Sequence, residues 1–450
     1  MSNDRLPPQA KYIVGNEACE RFSYYGVRSI LTAYIAMLFV RGGAEPGAAE
    51  KAVAKTIVHL WVFATYFLPL VGAWIADRWW GRYRTILWLS LAYCVGHALL
   101  AAGEGTKWGL FAGLAFLAIG SGGIKPCVSA FVGDQFQGGR EHQLTRIYNL
   151  FYWSINFGAF FAFAFIPDLK AKAGYSWAFG IPGIAMGVAT IIFRIGSPTY
   201  VKVPPSRGRP PLDDAVRAEN RRILWRIAAV FAPVIIFWAL YDQQNTTWEQ
   251  QGEQLVPCVI PLHFWNYTLN GETMQTLNAI FILTFIPLFT YVIYPWLERR
   301  GKNPPLIWRM AIGMGIIAVA FAAAACLQSR IESGEKLSIL WQAGQYALLT
   351  FAEVLVSTTG LEFAFRNAPA SLKSTIMSLW LLAVSFGNLF TALITWLNHH
   401  KDAAGQDAAH LGPVQEMVFY IVLVLIATGV FIAIARRFQP HSSHATIPFS

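Results

Sequence analysis

Twelve runs of apolar residues, each long enough to cross a bilayer, leave this chain few folds to choose from. They lie at about 12–38, 55–76, 84–102, 108–133, 146–167, 177–196, 223–246, 275–297, 306–327, 338–364, 373–397 and 415–437. A membrane-spanning helix needs about 17–25 residues. In lipid each backbone N–H and C=O must be satisfied within the protein, so an isolated apolar run crosses as a helix. Charged residues make up only 13% of the chain, against about 25% in soluble domains. The expectation is an all-α membrane protein with twelve transmembrane helices. The polar start MSNDRLPPQAK precedes a run with no small-residue cleavage site, so that run reads as a span and not as a signal peptide.

The formal net charge is +10, and its placement says what it is for. With residues at the span ends assigned to the adjoining loop or tail, 23 Lys and Arg fall in the two tails and the even-numbered loops, and 9 fall on the opposite side. This is the positive-inside bias. It puts both termini in the cytoplasm and argues against a basic protein that binds nucleic acid; the expected location is the inner (plasma) membrane. The five cysteines, Cys19, Cys94, Cys127, Cys258 and Cys326, form no CxxC pair and no metal-ligand spacing. Only Cys258 faces the exterior, without a partner for a disulfide. His399, His400 and His410 read as solvated loop side chains.

Residues 196–222 are rich in proline and charge and cannot span. They act as a cytoplasmic linker between an N-terminal six-helix bundle, 1–195, and a C-terminal one, 223–450. Six spans, a basic loop and six more suggest the major-facilitator fold. The stretch GAWIADRWWGRYRT, residues 72–85, resembles the short cytoplasmic signature of that superfamily. Its acid and arginines can pair at helix ends, and Gly81 permits a tight turn between them.

The first span begins NEACERFSYYGVR at residue 16, with two acids and two arginines. A charge at mid-bilayer costs about 2.5–3.5 kcal/mol on the insertion scale, so four of them must face protein or water. Glu17, Glu20, Arg21, Tyr24 and Arg28 step by 3, 1, 3 and 4, which puts them along one side of a helix. That stripe reads as the lining of a polar cavity, with a buried ion cluster that merely fixes packing as the alternative. Other spans hold Lys125 among glycines beside Pro126, then Asp242, and then Glu353. These charges nearly balance across the two halves, as a shared cavity requires. Glu249 and Glu362 sit nearer span ends and read as solvated or capping. His59 is either a satisfied structural donor or a proton relay, since its reference pKa lies near the working range.

At these residues the chain resembles the proton-coupled oligopeptide transporters. NEACERFSYYG is similar to the family's ExxERFxYYG signature, and FYWSINFG at 151–158 to its FYxxINxG signature. SGGIKPCVSAFVGDQF at 121–136, FWALYDQQ at 237–244, TGLEF at 359–363 and His59 seven residues before Tyr66 resemble the animal di- and tripeptide transporters in particular. The chain departs from the family in three places. It has room neither for two extra helices between the halves nor for a large exterior domain after span nine. Ala159 replaces the usual serine after the INxG glycine.

The resemblance implies a proton-coupled symporter that imports di- and tripeptides by alternating access, not an enzyme. It needs no metal and no cofactor beyond the proton, and its partners are peptides, protons and lipid. Each chain would hold a complete pathway and work as a monomer. Arg28 and Lys125 would face the peptide carboxylate, Glu353 the ammonium, and Asn156 and Asn278 the backbone. Tyr24, Tyr25, Tyr66, Trp238 and Trp380 would line the pocket. Glu17, Glu20 and Arg21, with His59, would couple the proton. Arg28 with Asp242, and Lys125 with Glu353, would serve as gates. The same fold carrying nitrate, an amino acid or a drug-like solute, and a peptide sensor that has lost transport, are the other readings.

Overall fold

The computed structural model describes residues 7–40, 45–136, 144–205, 214–261, 266–302, 304–367, 373–401 and 407–437. The first half runs α1 (Ala10–Phe39), α2 (Ala48–Ile75), α3 (Arg82–Ala102), α4 (Lys107–Asp134), α5 (Leu144–Ala173) and α6 (Tyr175–Ile195). The second half runs α7 (Asp214–Phe231), α8 (Val234–Tyr241), α9 (Thr247–Gly252), α10 (Thr276–Pro287), α11 (Tyr294–Arg299), α12 (Leu306–Glu332), α13 (Gln342–Glu353), α14 (Thr359–Asn367), α15 (Lys373–Asn398) and α16 (Pro413–Arg437). Among the described residues nine segments are long and apolar enough to cross a membrane, and a bent pair built from α7 to α9 makes a tenth. Helices α1 and α5, 30 residues each, are long enough at 1.5 Å per residue to cross as well. Counted by length, these two bring the crossings among the described residues to the expected twelve.

The second half is less regular than its hydropathy suggests. The expected span 223–246 starts earlier, at Asp214, and bends by 43° between α7 and α8. Pro233 sits at the bend and lacks the N–H that would continue the helix. After α8 the chain tightens into a 3₁₀ turn at Asp242–Asn245 and continues to Gly252. Similarly, α13 ends at Glu353 and passes through a π turn, Val354–Thr358, into α14. Within the segment read as a linker, Ser197–Thr199 form a 3₁₀ turn and α7 begins at Asp214; residues 206–213 lie outside the described residues. Two antiparallel hairpins were not expected. Cys258–Pro261 (β1) pairs with Asn266–Leu269 (β2), and His399–Lys401 (β3) pairs with Asp407–Ala409 (β4). The pair His399 and His400 therefore belongs to a strand, and His399 Nδ1 bonds the Thr395 carbonyl at 3.0 Å.

Buried apolar side chains gather mainly into two clusters. One draws on residues from Ala10 to Tyr200 and the other on residues from Ile223 to Ala435. Tyr66 packs against both. Gly81 has φ +73°, the left-handed conformation that the turn between α2 and α3 requires. Beyond that turn Arg82 pairs with Asp134 at 2.5 Å and with Asp77 at 3.9 Å. The glycine of the INFG motif has a different task. A Cβ on Gly158 would stand 2.4 Å from the Ala18 carbonyl oxygen and 2.9 Å from Arg21 Cβ. Helix α5 thus lies directly on the charged turn of α1.

Gly158→Ala should lower the thermal unfolding midpoint in detergent, because overpacking costs about 1–3 kcal/mol. Gly187→Ala is the control, since a Cβ there meets nothing within 4 Å; its midpoint should not fall.

Candidate functional site

Four of the five polar residues in the α1 stripe, Glu17, Glu20, Tyr24 and Arg28, are at most 5% exposed, so the helix turns its charges away from lipid. Arg21 Nε lies 2.6 Å from Glu17 Oε1 and 3.2 Å from Glu20 Oε2. Ser121 Oγ of α4 donates to Glu20 Oε1 at 3.3 Å. The cluster therefore holds two acids around one arginine, braced by the helix that carries Lys125.

Two turns along α1, Arg28 reaches across to the other half and its Nη2 donates to Asp242 Oδ1. Asn388 Nδ2 of α15 donates to Asp242 Oδ2 at 2.6 Å. Asn388 Oδ1 then faces His59 Nδ1 at 2.7 Å. An amide oxygen only accepts, so this network assigns the proton to Nδ1 of His59 and leaves Nε2 to accept from Thr246 Oγ1 at 3.1 Å. With its amide turned so that both atoms are satisfied, Asn245 accepts from Arg28 Nη2 at 2.9 Å. One continuous chain thus joins Arg28, Asp242, Asn388, His59 and Thr246 across the seam. Asn388 was missed in the sequence, although an asparagine in the apolar run VSFGNLF was a visible signal.

Beside this chain lies a cavity of about 210 Å³ between the halves. The first half contributes Tyr25, Arg28, Tyr66, Asn156, Ala159 and Phe163 to its wall. The second contributes Trp238, Tyr241, Asp242, Asn245, Asn278, Glu353 and Trp380, among others. Glu353 accepts from Asn278 Nδ2 at 2.9 Å, and Tyr241 shares the cavity wall with it. Asn278 Nδ2 reaches Thr350 Oγ1 as well, at 3.0 Å. Both charged groups from the second half stand at breaks in helical geometry: Asp242 opens the 3₁₀ turn and Glu353 precedes the π turn. Irregular backbone at membrane depth is tolerated where it lines a cavity. The result is a guanidinium and a carboxylate on one void, with amides and aromatic rings between them. This arrangement can hold a zwitterion by its two ends.

Several expected residues sit elsewhere. Tyr24 is fully buried in the first half, stacked on Trp61 with ring centroids 5.5 Å apart, and is not on the cavity wall. Lys125 is not on the wall either. Its Nζ lies 3.8 Å from the Tyr24 ring centroid and 4.5 Å from that of Tyr66, and makes no hydrogen bond among the described residues. The charged groups around it are Arg21, Glu20, Arg28 and Glu17, and it makes no ion pair with Glu353. Asn278 engages Glu353 instead, and the Tyr24 and Tyr66 rings face the Lys125 ammonium. Glu362 is half-exposed and pairs with Arg366 at 2.5 Å, as a solvated acid would. Glu249 is a correction. The crossing runs on to Gly252, so Glu249 falls inside the seam and is fully buried.

Further contacts hold the halves together toward the side away from the chain termini. Lys55 pairs with Glu416, Lys51 with Glu253 at 3.0 Å, and Lys170 with Glu272 at 2.5 Å. Thr32 Oγ1 donates to the Asn245 carbonyl at 2.6 Å, and Gln250 Nε2 to the Lys51 carbonyl at 3.0 Å. Burial pushes the Glu272 carboxyl above its ordinary range, although the Lys170 ammonium pulls it down. These contacts join the halves on the side away from the termini.

The family model described as the POT family matches residues 83–217 and 209–410. A Drosophila melanogaster protein named peptide transporter family 1 is 34% identical over 371 residues, which cover 72% of this chain and 48% of that protein. Human solute carrier family 15 member 1 is 34% identical over 379 residues, 71% of this chain and 52% of its own. The chain spans about half the length of these relatives. The crystal structure of an auto-inhibited POT family peptide transporter superposes with a TM-score of 0.87 at 34% identity, covering 98% of this chain and 99% of that one. The POT family transporter PepTSo superposes with a TM-score of 0.86 at 35% identity, covering 96% and 98%.

Removing one partner of a buried ion pair costs about 3–5 kcal/mol, so Asp242→Ala should destabilise the protein strongly. Asn388→Ala should cost about 1–3 kcal/mol by stranding buried polar groups. A double-mutant cycle on these two positions, read by thermal unfolding, should be non-additive; additive losses would mean the chain does not act as a unit.

Proposed function

The chain belongs to the POT family, and from that premise we propose that it is a symporter bringing di- and tripeptides into the cell with protons. The observation that carries this reading is the pairing of Arg28 and Glu353 on one cavity between the halves. Peptides of varied sequence share a carboxylate, an ammonium and amides. A guanidinium grips a carboxylate through a bidentate fork, a carboxylate grips an ammonium, and Asn156 and Asn278 offer both a donor and an acceptor. Aromatic walls from Tyr25, Tyr66, Trp238 and Trp380 accept different side chains.

In this proposal the halves 1–195 and 223–450 rock about the cavity, joined by the linker 196–222. Arg28 is shared between Asp242 and the peptide carboxylate, so its release from one favours its grip on the other. Lys125, whose ammonium makes no hydrogen bond among the described residues, is available to the substrate or to Glu353 when the other face closes. Glu17 and Glu20, two acids competing for Arg21, exchange a proton as the halves move, with His59 as a relay at the seam. The chain works as a monomer in the plasma membrane with both termini in the cytoplasm, and the proton is its only coupling ion.

The test is uptake of a labelled dipeptide by the purified chain in liposomes. An inward proton gradient should drive accumulation, with competition from tripeptides but not from nitrate, free amino acids or tetrapeptides. Uptake that ignores the gradient would leave a sensor or a carrier of another solute. Glu20→Gln should abolish gradient-driven accumulation and retain dipeptide exchange. Glu353→Gln should weaken dipeptide binding by about 10- to 100-fold, the worth of a charge-assisted hydrogen bond of about 1.5–3 kcal/mol. It should leave an N-acetylated dipeptide, which has no ammonium, unaffected.

A further inference from the structure

The outer seam holds a carboxyl that the transport reading does not use. Glu249 on α9 is fully buried. Its Oε2 accepts from Gln275 Nε2 at 3.4 Å, and its Oε1 has no hydrogen-bond partner among the described residues. The nearby lysines are taken, Lys170 by Glu272 and Lys51 by Glu253, and Glu249 makes no ion pair among the described residues. The amide oxygens of Gln342 and Gln345 on α13 also lack a donor, while their nitrogens are engaged with Trp248 and Gln251. The site is thus rich in acceptors and short of a proton.

The groups around Glu249 come from both halves. From the first half come the backbone of Ala33 on α1, Lys170 on α5 and Tyr175 at the start of α6. From the second come Glu253 beside its own helix, Glu272 ahead of α10 and Tyr346 on α13. Three carboxyls face two lysines, so the full set of charges does not balance. An unpaired carboxylate stripped of water is strongly disfavoured and takes up a proton instead. Parting the halves on this side would separate α1, α5 and α6 from α9 and let water reach the group.

We propose that Glu249 is a proton-binding site built into the outer seam. It takes a proton from the outer solution while the seam is open, keeps it while the seam is shut, and returns it to the same side on reopening. Closure of the outer face then depends on the pH of that side, and no transported proton is added. This rests on the reading of the chain as a carrier whose two faces open in turn.

Distance measurements between spin labels across the outer mouth test it. Labels at Lys172 and Gln254, both exposed, can be attached through unnatural amino acids, which leaves the five cysteines in place. Without peptide, the wild-type ratio of closed to open should rise as the pH falls from 8 to 5. One linked proton contributes up to about tenfold per pH unit. Glu249→Gln should lose that contribution and be closed already at pH 8. If it does not fold, Glu249→Leu carries the same expectation. Difference infrared spectra of the wild type should show the carbonyl stretch of a protonated buried carboxyl, absent from the variant. A variant that keeps the full wild-type slope, or a wild type without that band, overturns this inference alone. A wild type whose outer face never opens overturns the alternating carrier as well.

Discussion

Ionised groups placed at membrane depth must find their partners inside the protein, and here a central pair of partners belongs to different halves of the chain. Arg28 can be buried because Asp242 meets it across the seam, and Asp242 is completed by Asn388, which is completed by His59. Such contacts are costly to break singly and favourable only when complete. They make the closed seam a discrete state. The proposed carrier would need such a state, because a seam that yielded gradually would leak.

The cavity depends on the same constraint. Its charged walls from the second half stand where helices depart from regular geometry, at the 3₁₀ turn of Asp242 and before the π turn after Glu353. Regular helices would stack side chains on one face at fixed spacing. The breaks turn these carboxylates toward the void instead. The first half presents its charges as a stripe along one unbroken helix, α1, which Gly158 lets α5 approach closely. One half thus supplies a row of charge along a regular helix, and the other supplies charged groups at breaks in helical geometry.

Much of this was legible in the residues. The twelve crossings follow from apolar length, since lipid forces each such run to satisfy its own backbone. The stripe from Glu17 to Arg28 follows from helical spacing, and the structure buries it as that spacing requires. What was misread depended on neighbours far away in sequence. Tyr24 shares the stripe but falls behind Lys125 and Tyr66, away from the cavity. Glu249 looked like a span-end acid because hydropathy does not show how far the packed seam extends. Asn388 is one polar residue in an apolar run until Asp242 and His59 are placed on either side of it.

The sequence by itself determined that this chain lives in a membrane, how many times it crosses, and which charges cannot face lipid. These are properties of single segments, set by transfer costs that act locally. Tertiary structure alone decided which charge meets which, since Arg28 and Asp242 are 214 positions apart. It also decided on which side ion pairs join the two halves, and that Lys125 rests on aromatic rings instead of on Glu353. Pairing across a seam depends on the relative position of two bundles, and no periodicity within either bundle encodes it.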